Sequence, residues 1–351
     1  MELSASYLTQ ILNYFHPDEV VEDYFVIPAG HINLTIRVSV GDKHYLLQQI
    51  NDTIFGEIQT LLKSKSSVVT HLNARIDYPI KFYKTLEGDL AFENWTCCDF
   101  LEEVYSYEAC PRSKIAFEMG KGLQYFSKGI EDLKVQNYPE IIKDFHRMSS
   151  RVQDLNKAVN KASKDRLEAA SELLRWVRES EQELFALEQM IDKRETPQVL
   201  THNDPKIGNF LFSSSDDYVA LIDLDTIMPG CRAFDFGDAV RSVAANQRED
   251  DRDFQNISFD MVKLEAFLKG YGLEGNLKLS LNELRAHLAG IFHIIGIMSI
   301  RFLTDYLNND VYYKINYPEH NLTRARNQML LFQEFILHKY AVQNLVYQYL
   351  A

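Results

Sequence analysis

The sequence predicts an α+β chain of two lobes, a small antiparallel β-rich N-lobe followed by a large, mostly helical C-lobe. Three observations carry this. Between residues 24 and 50, short apolar runs, one alternating strictly with polar residues, are separated by turn formers, the pattern of an antiparallel meander. From about Glu108 the apolar spacing becomes helical and stays so over most of the remaining chain. The 351 residues also exceed what one hydrophobic core usually serves, so a division near residue 95 is expected.

In chain order, Leu8, Ile11, Leu12 and Phe15 mark one face of a short helix within residues 1–18. Tyr24–Ile27 reads as a strand running into Gly30. Leu34, Ile36, Val38 and Val40 alternate with Thr35, Arg37 and Ser39, and a turn at Gly41-Asp42 leads to a third strand over His44–Ile50. A helix is expected from about Phe55 to Leu72. A hairpin over residues 80–95, turning at Glu87-Gly88-Asp89, closes the small lobe. Trp95–Glu103 is then the crossover between lobes, with Trp95 either under the sheet or beside a bound base. Ala116, Met119, Leu123 and Phe126 repeat at helical spacing, and Leu173–Ile191 reads as one long helix. Further helices are expected over about 261–268, 281–307 and 320–349.

Composition narrows the function. Hydrophobic residues make up 46% and charged residues 25%, values of a globular chain. A formal net charge of −13 argues against nucleic acid as the main partner, because phosphate backbones want a basic footprint. The start, Met1-Glu2-Leu3-Ser4-Ala5, lacks a basic segment before an apolar one, and the apolar run Leu288–Leu303 is interrupted by His293 and Arg301, so neither a secretory signal nor a membrane span is expected. Cys97, Cys98, Cys110 and Cys231 have no paired metal spacing and suit reduced thiols in a cytoplasm.

The chemistry concentrates in Leu200-Thr201-His202-Asn203-Asp204-Pro205-Lys206-Ile207-Gly208-Asn209-Phe210-Leu211-Phe212, followed by Tyr218–Asp223. Polar residues lie between apolar runs, with Pro205, Gly208 and Ser213–Asp217 as turn formers, so strand, loop, strand, turn, strand is the natural reading. Asp204 can accept a proton from a substrate hydroxyl. Asn209, five residues on, and Asp223, ending the next strand, offer oxygen ligands to Mg²⁺. That Asp-to-Asn spacing is the one used in kinase catalytic loops. Lys206 can meet the charge of a transferred phosphoryl group. An ordinary polar loop would not need this whole set, so a protein-kinase-like fold and phosphoryl transfer are expected. A glycine turn at Gly30 heading the meander, with Asn33 nearby, would let backbone N–H groups approach the nucleotide phosphates. Asp225 is a second carboxylate near the metal position, either a ligand helper or a loop cap. Asp235 and Asp238 open a helix, where capping is the default reading, and Arg241 is placed to pair with one of them. Arg301 either pairs with Asp305, four residues on, or donates at the acceptor pocket, with Tyr312 and Tyr313 in the following loop.

These residues resemble the aminoglycoside phosphotransferase and choline kinase superfamily, and within it the N-acetylhexosamine 1-kinases. The resemblance covers most of the chain. It rests on Gly30-His31-Ile32-Asn33, Tyr45–Asn51, His202–Asn209, Ile222–Gly230, Phe234–Asp238, Arg301–Leu307, Asp310–Lys314 and His320-Asn321-Leu322. It implies an ATP- and Mg²⁺-dependent enzyme that phosphorylates the anomeric hydroxyl of a free N-acetylhexosamine. Residues 1–95 would form the nucleotide-binding lobe and 96–351 the catalytic, substrate-binding lobe. Asp204 would be the base, with Lys206 beside it, and Asn209 and Asp223 the metal ligands. Gly30, His31, Asn33 and Gln48 would contact nucleotide. Arg301, Tyr312, Tyr313 and Asp225 would contact sugar. A monomer or weak homodimer, without membrane or nucleic-acid partners, would fit.

The small lobe departs from the pattern. Where kinase-like enzymes place a strand lysine opposite a helix glutamate, the strand Tyr45–Ile50 has Gln48 and Gln49, and the helix has Lys63, with Glu57 as the nearest acid. The cation facing ATP is then expected among Lys43, Lys63 and Arg37. Two alternatives stand beside the sugar kinase: the same fold acting on choline-like or aminoglycoside acceptors, and a nucleotide-binding pseudokinase without turnover.

Overall fold

A computed structural model describes residues 3–28, 33–55, 57–273 and 277–351. The chain divides into two compact units. The first comprises residues 1–104 with Gly129–Ile142 and Leu224–Met228, and the second holds the rest.

The first unit is built on a five-stranded antiparallel sheet. Its strands are β1 (Asp23–Val26), β2 (Leu34–Val40), β3 (Lys43–Gln49), β4 (Phe82–Tyr83) and β5 (Trp95–Asp99), in the spatial order β1-β2-β3-β5-β4. The period-two pattern of β2 puts Ile36 and Val38 fully inside. They pack with Tyr45, Leu47, Trp95 and Cys97 against Leu8, Ile11 and Leu12 of helix α1 (Ala5–Leu12). Each such aliphatic side chain contributes about 1.5–3 kcal/mol on burial. Helices α2 (Asp52–Phe55) and α3 (Ile58–Arg75) follow β3, with Leu61 and Leu62 in a second cluster beside Ile50 and Phe55.

Two expectations are corrected here. The Glu87–Asp89 turn forms, with the Gly88 N–H donating to the Thr85 carbonyl at 2.9 Å, but the strand after it is Trp95–Asp99, not residues 90–95. This segment pairs with β3 on one side and β4 on the other, so its first residues are a central strand, not a crossover. Trp95 is 1% exposed, beneath the sheet.

A short strand, β6 (Val104–Tyr105), starts at the last residue of the first unit's opening segment, and the second unit continues with helices α4 (Ser113–Gly129, all but its last residue), α5 (Met148–Val159), α6 (Lys164–Ala169), α7 (Ser171–Glu179) and α8 (Glu181–Asp192). The long helix expected over Leu173–Ile191 is broken at Ser180 into α7 and α8. Strands β7 (Val199–Thr201), β8 (Phe210–Ser213) and β9 (Tyr218–Leu221) carry the expected strand-loop-strand-turn-strand, with β8 and β9 antiparallel. Then come α9 (Arg232–Ala244), α10 (Met261–Leu273), α11 (Leu281–Leu307), α12 (His320–Leu337) and α13 (Lys339–Leu350), the last two separated at His338 where one helix was expected.

Helix α11 is the axis of this unit. A capping box between Ser280 and Glu283 starts it, and it packs against α5, α8, α9 and α12. It is long and apolar enough to cross a membrane by composition, yet 78% of its most apolar window is buried within the protein. Two glycines let α9 and α11 touch backbone to backbone. A Cβ on Gly237 would stand 2.2 Å from the Gly290 carbonyl oxygen, and one on Gly290 2.2 Å from that of Ala233.

Candidate active site

The loop after β7 is held from three sides within the second unit. His202 is fully buried, its Nδ1 accepting the Asp204 N–H at 3.3 Å and its Nε2 lying 2.8 Å from the Ile222 carbonyl oxygen. With Nδ1 accepting, the proton belongs on Nε2, and the ring fastens the loop to the strand end that carries Asp223. Asn203 has a left-handed backbone, φ +66, and Asp223 another, φ +64; Asn and Asp tolerate this region better than most side chains. Buried His146 lies 2.8 Å from the Asn203 carbonyl oxygen, and burial pushes its imidazole down to about 3, so it is neutral at physiological pH.

The third hold comes from α9. Asp235, 4% exposed, accepts the Asn203 N–H at 2.7 Å and the His202 N–H at 2.9 Å, one on each oxygen. Its carboxylate therefore serves the loop and not its own helix end, which corrects the capping expectation. Burial lifts this carboxyl to about 7 against the opposing pull of the two N–H groups. Asp238 pairs with Arg241 at 2.8 Å, and Arg241 reaches Glu249 at 2.7 Å. Ser242 Oγ accepts the Ile207 N–H at 2.9 Å.

On this base the polar side chains converge. Asp204 Oδ2 accepts from Lys206 Nζ at 3.0 Å and from Asn209 Nδ2 at 3.0 Å, and the same amide donates to the Asp204 carbonyl at 2.8 Å. Burial alone would raise the Asp204 carboxyl, but the adjacent Lys206 ammonium, with His202 and Arg241, holds it below its ordinary 3.8. Lys206 is raised in return, first by Asp204 and also by Asp223, and stays charged. The Ile222 N–H donates to the Asn209 carbonyl at 2.8 Å, so Asn209 and Asp223 are tied through adjoining backbone. Among the described residues no three His, Cys, Asp or Glu side chains gather as a metal cage. The Asn209 amide oxygen and the Asp223 carboxylate are hard oxygen donors, of the kind and number with which Mg²⁺ is held when phosphates complete its shell.

Arg301 lies in the same unit. Its guanidinium carbon is 5.1 Å from the Phe145 ring centre, 5.6 Å from Tyr313 and 5.9 Å from Tyr312. It does not pair with Asp305. That carboxylate accepts the backbone N–H groups of Val311, Tyr312 and Tyr313 at 3.0, 2.8 and 2.9 Å, and Asn321 Nδ2 at 2.9 Å. Asp305 thus fixes the loop that presents both tyrosines, a role its i+4 spacing from Arg301 concealed. Arg166 steadies the same loop through Asp310 at 2.8 Å. Burial pushes the Tyr313 hydroxyl up to about 12, and its Oη is buried without a hydrogen-bond partner among the described residues.

The remaining expected residues lie in the first unit. Gly30 and His31 fall outside the described residues. Asn33 Nδ2 donates to Asp225 Oδ2 at 2.6 Å, while its Oδ1 accepts the Asn51 N–H at 3.0 Å. Asp225, 2% exposed, is ion-paired through Oδ1 with Lys65 Nζ at 2.6 Å, and Lys65 also donates to Gln48 Oε1 at 3.3 Å. Of the cations expected to face phosphate, Lys63 is exposed, Lys43 pairs with Glu19 and Arg37 with Asp23. Lys65 was not singled out from the sequence, where only its burial distinguishes it from the lysine two residues earlier.

Residues 111–268 match the model of the Phosphotransferase enzyme family, a span that contains the whole Leu200–Asp238 segment and ends before Arg301. Among solved structures, a choline kinase from Cryptosporidium parvum is similar at a TM-score of 0.63 and 13% identity, covering 99% of each chain. An ethanolamine kinase from Plasmodium vivax gives 0.60 and 16%, covering 89% of this chain and 84% of that one. A spectinomycin phosphotransferase in complex with ADP and spectinomycin gives 0.58 and 14%, covering 99% and 98%. At these identities the likeness is one of fold. The antiparallel sheet region followed by a mostly helical part is the kinase-like fold that these structures share, as the sequence led us to expect, and the family match supports a phosphotransferase.

Proposed function

We propose that this chain is an ATP-dependent kinase that phosphorylates the anomeric 1-hydroxyl of an N-acetylhexosamine. The observation that carries the reading is the convergence of Lys206 and Asn209 on one oxygen of Asp204, on a loop fastened to the strand end that bears Asp223. In this reading Asp204, kept ionised by Lys206, accepts a hydrogen bond from the sugar hydroxyl and aligns it for in-line attack. It takes the proton as the oxygen bonds to the γ-phosphorus and the bond from that phosphorus to the β,γ-bridging oxygen breaks, ADP leaving with that electron pair. Lys206 lies beside the path of the transferred group and offsets its charge. Asn209 and Asp223 would hold Mg²⁺, which supplies charge neutralisation at the phosphate oxygens when bound. A loose transition state asks mainly for this positioning and electrostatics.

The acceptor class is argued from Arg301. Among the described residues Arg301 makes no ion pair, and its guanidinium is the cation seated among Phe145, Tyr312 and Tyr313. Aromatic rings so arranged could attract an ammonium acceptor, but a resident positive charge repels one. Arg301 and the Tyr313 hydroxyl instead suit the hydroxyl and carbonyl oxygens of a neutral sugar. The similar choline, ethanolamine and spectinomycin enzymes make an amino-alcohol or aminocyclitol acceptor the second reading. A screen of N-acetylglucosamine, N-acetylgalactosamine, choline, ethanolamine and spectinomycin by ADP release decides between them, with ³¹P NMR of the product. An anomeric phosphate is expected. Turnover of choline or ethanolamine alone would overturn the sugar reading, and tight ATP binding with no product from any acceptor would leave a pseudokinase.

A further inference from the structure

The first unit contains an ion pair that the catalytic scheme above does not use. Lys65, on α3, is 5% exposed and is the only buried lysine among the described residues. Its Nζ lies 2.6 Å from Asp225 Oδ1 and 3.3 Å from Gln48 Oε1, and 4.9 Å from the centre of the Phe82 ring. Asp225 belongs to the 3-10 turn Leu224–Thr226, which begins one residue after Asp223. Its second oxygen is taken by Asn33. The pair therefore ties the β3 strand, the α3 helix and the turn that follows the expected metal ligand.

A buried ion pair is a poor device for stability alone, because apolar residues of similar volume often do as well or better. Its polarity is the informative feature. The usual small-lobe arrangement has a strand cation facing a helix acid. Here the strand supplies the neutral acceptor Gln48 and the helix supplies the cation. A nucleotide polyphosphate needs positive charge, and the three other cations considered for this lobe are exposed or paired at the surface.

We propose that Lys65 is the phosphate-holding cation of this chain, an inversion of the strand-lysine arrangement, with Asp225 and Gln48 orienting its ammonium toward the nucleotide's phosphates. The inference rests on the ATP-dependent reading above. Calorimetry on the full chain tests it, with ATP, ADP and adenosine as probes. Lys65→Met should weaken ATP and ADP roughly tenfold or more, the loss expected for a charge-assisted hydrogen bond, and leave adenosine unchanged. Because this change strands Asp225, the Lys65→Met/Asp225→Asn pair removes both charges and should keep the loss. Moving the ammonium to the strand, Gln48→Lys with Lys65→Gln, should regain part of it.

Parent-like ATP affinity in either Met variant would overturn the proposal. So would equal weakening of adenosine and ATP, the mark of a merely structural role, or a strand lysine that regains nothing. The unmodified chain is measured first. Failure there to bind ATP or to phosphorylate any acceptor counts against the kinase reading, whereas a working parent with an indifferent Lys65 counts against this inference alone.

Discussion

Replacing Asp235 tests whether α9 holds the loop that bears Asp204. Its two oxygens accept the His202 and Asn203 N–H groups at 2.9 and 2.7 Å in a buried setting. Asparagine keeps one acceptor oxygen and turns an NH₂ toward the other N–H, so one buried donor loses its partner, at a cost of about 1–3 kcal/mol. Alanine orphans both donors and should cost about 2–6 kcal/mol, a large share of a typical domain's stability. Urea unfolding followed by circular dichroism gives the loss as a midpoint shift at unchanged slope. The order expected is parent, then Asp235→Asn, then Asp235→Ala. Because these two residues lead into Asp204, the asparagine variant should also lose kcat while ATP affinity holds. An alanine variant within about 0.5 kcal/mol of the parent, the range of an inconsequential surface change, would refute the reasoning.

The same carboxyl sets a pH dependence. In the folded chain it keeps its proton up to about pH 7, whereas unfolded it releases it near 3.8. Its contribution to stability therefore falls as pH rises from about 3.8 to 7 and is flat outside that window; subtracting the pH profile of Asp235→Asn from the parent's should isolate this slope, and a flat difference contradicts it. Asp204 is shifted the other way, so its pairing with Lys206 stabilises above 3.8 and is lost as pH falls below, and kcat should show no acid limb from it above 3.8; titrating kcat from pH 5 to 8 in the Asp235→Asn variant checks this. Asp305→Ala strips the acceptor from three loop N–H groups, and acceptor KM should rise at least about tenfold with ATP KM unchanged, because even one lost hydrogen bond to a charged acceptor is worth about 1.5–3 kcal/mol of loop order. Gly290→Ala drives a Cβ into the Ala233 carbonyl and should lower stability in urea by about 1–3 kcal/mol, the cost of overpacking.

Much of the site was legible because it is local. The spacing of Asp204, Lys206 and Asn209, and Asp223 two residues past the end of β9, are all set within 20 residues, and the chain folds that segment on itself. The alternation of β2 was equally plain, since one face is buried. Strand β5 was not, because Trp95, Thr96, Cys97 and Cys98 are all buried and leave no alternation to read. Asp235 looked like a helix cap because its partners lie 32 and 33 residues earlier in sequence. Asp305 looked like the partner of Arg301 because helical spacing allows it, while its real partners lie in the loop beyond the helix. Lys65 and Asp225 are 160 residues apart, and nothing short of the fold joins them.

The most direct test is the turnover of Asp204→Asn with ATP and the best N-acetylhexosamine. Asparagine keeps the size of the side chain and removes the proton acceptor. We expect kcat to fall at least about 10²-fold, the lower range for a positioned acid or base, with nucleotide affinity retained. Turnover within a few-fold of the parent would contradict a carboxylate at 204 as the group that aligns and deprotonates the acceptor.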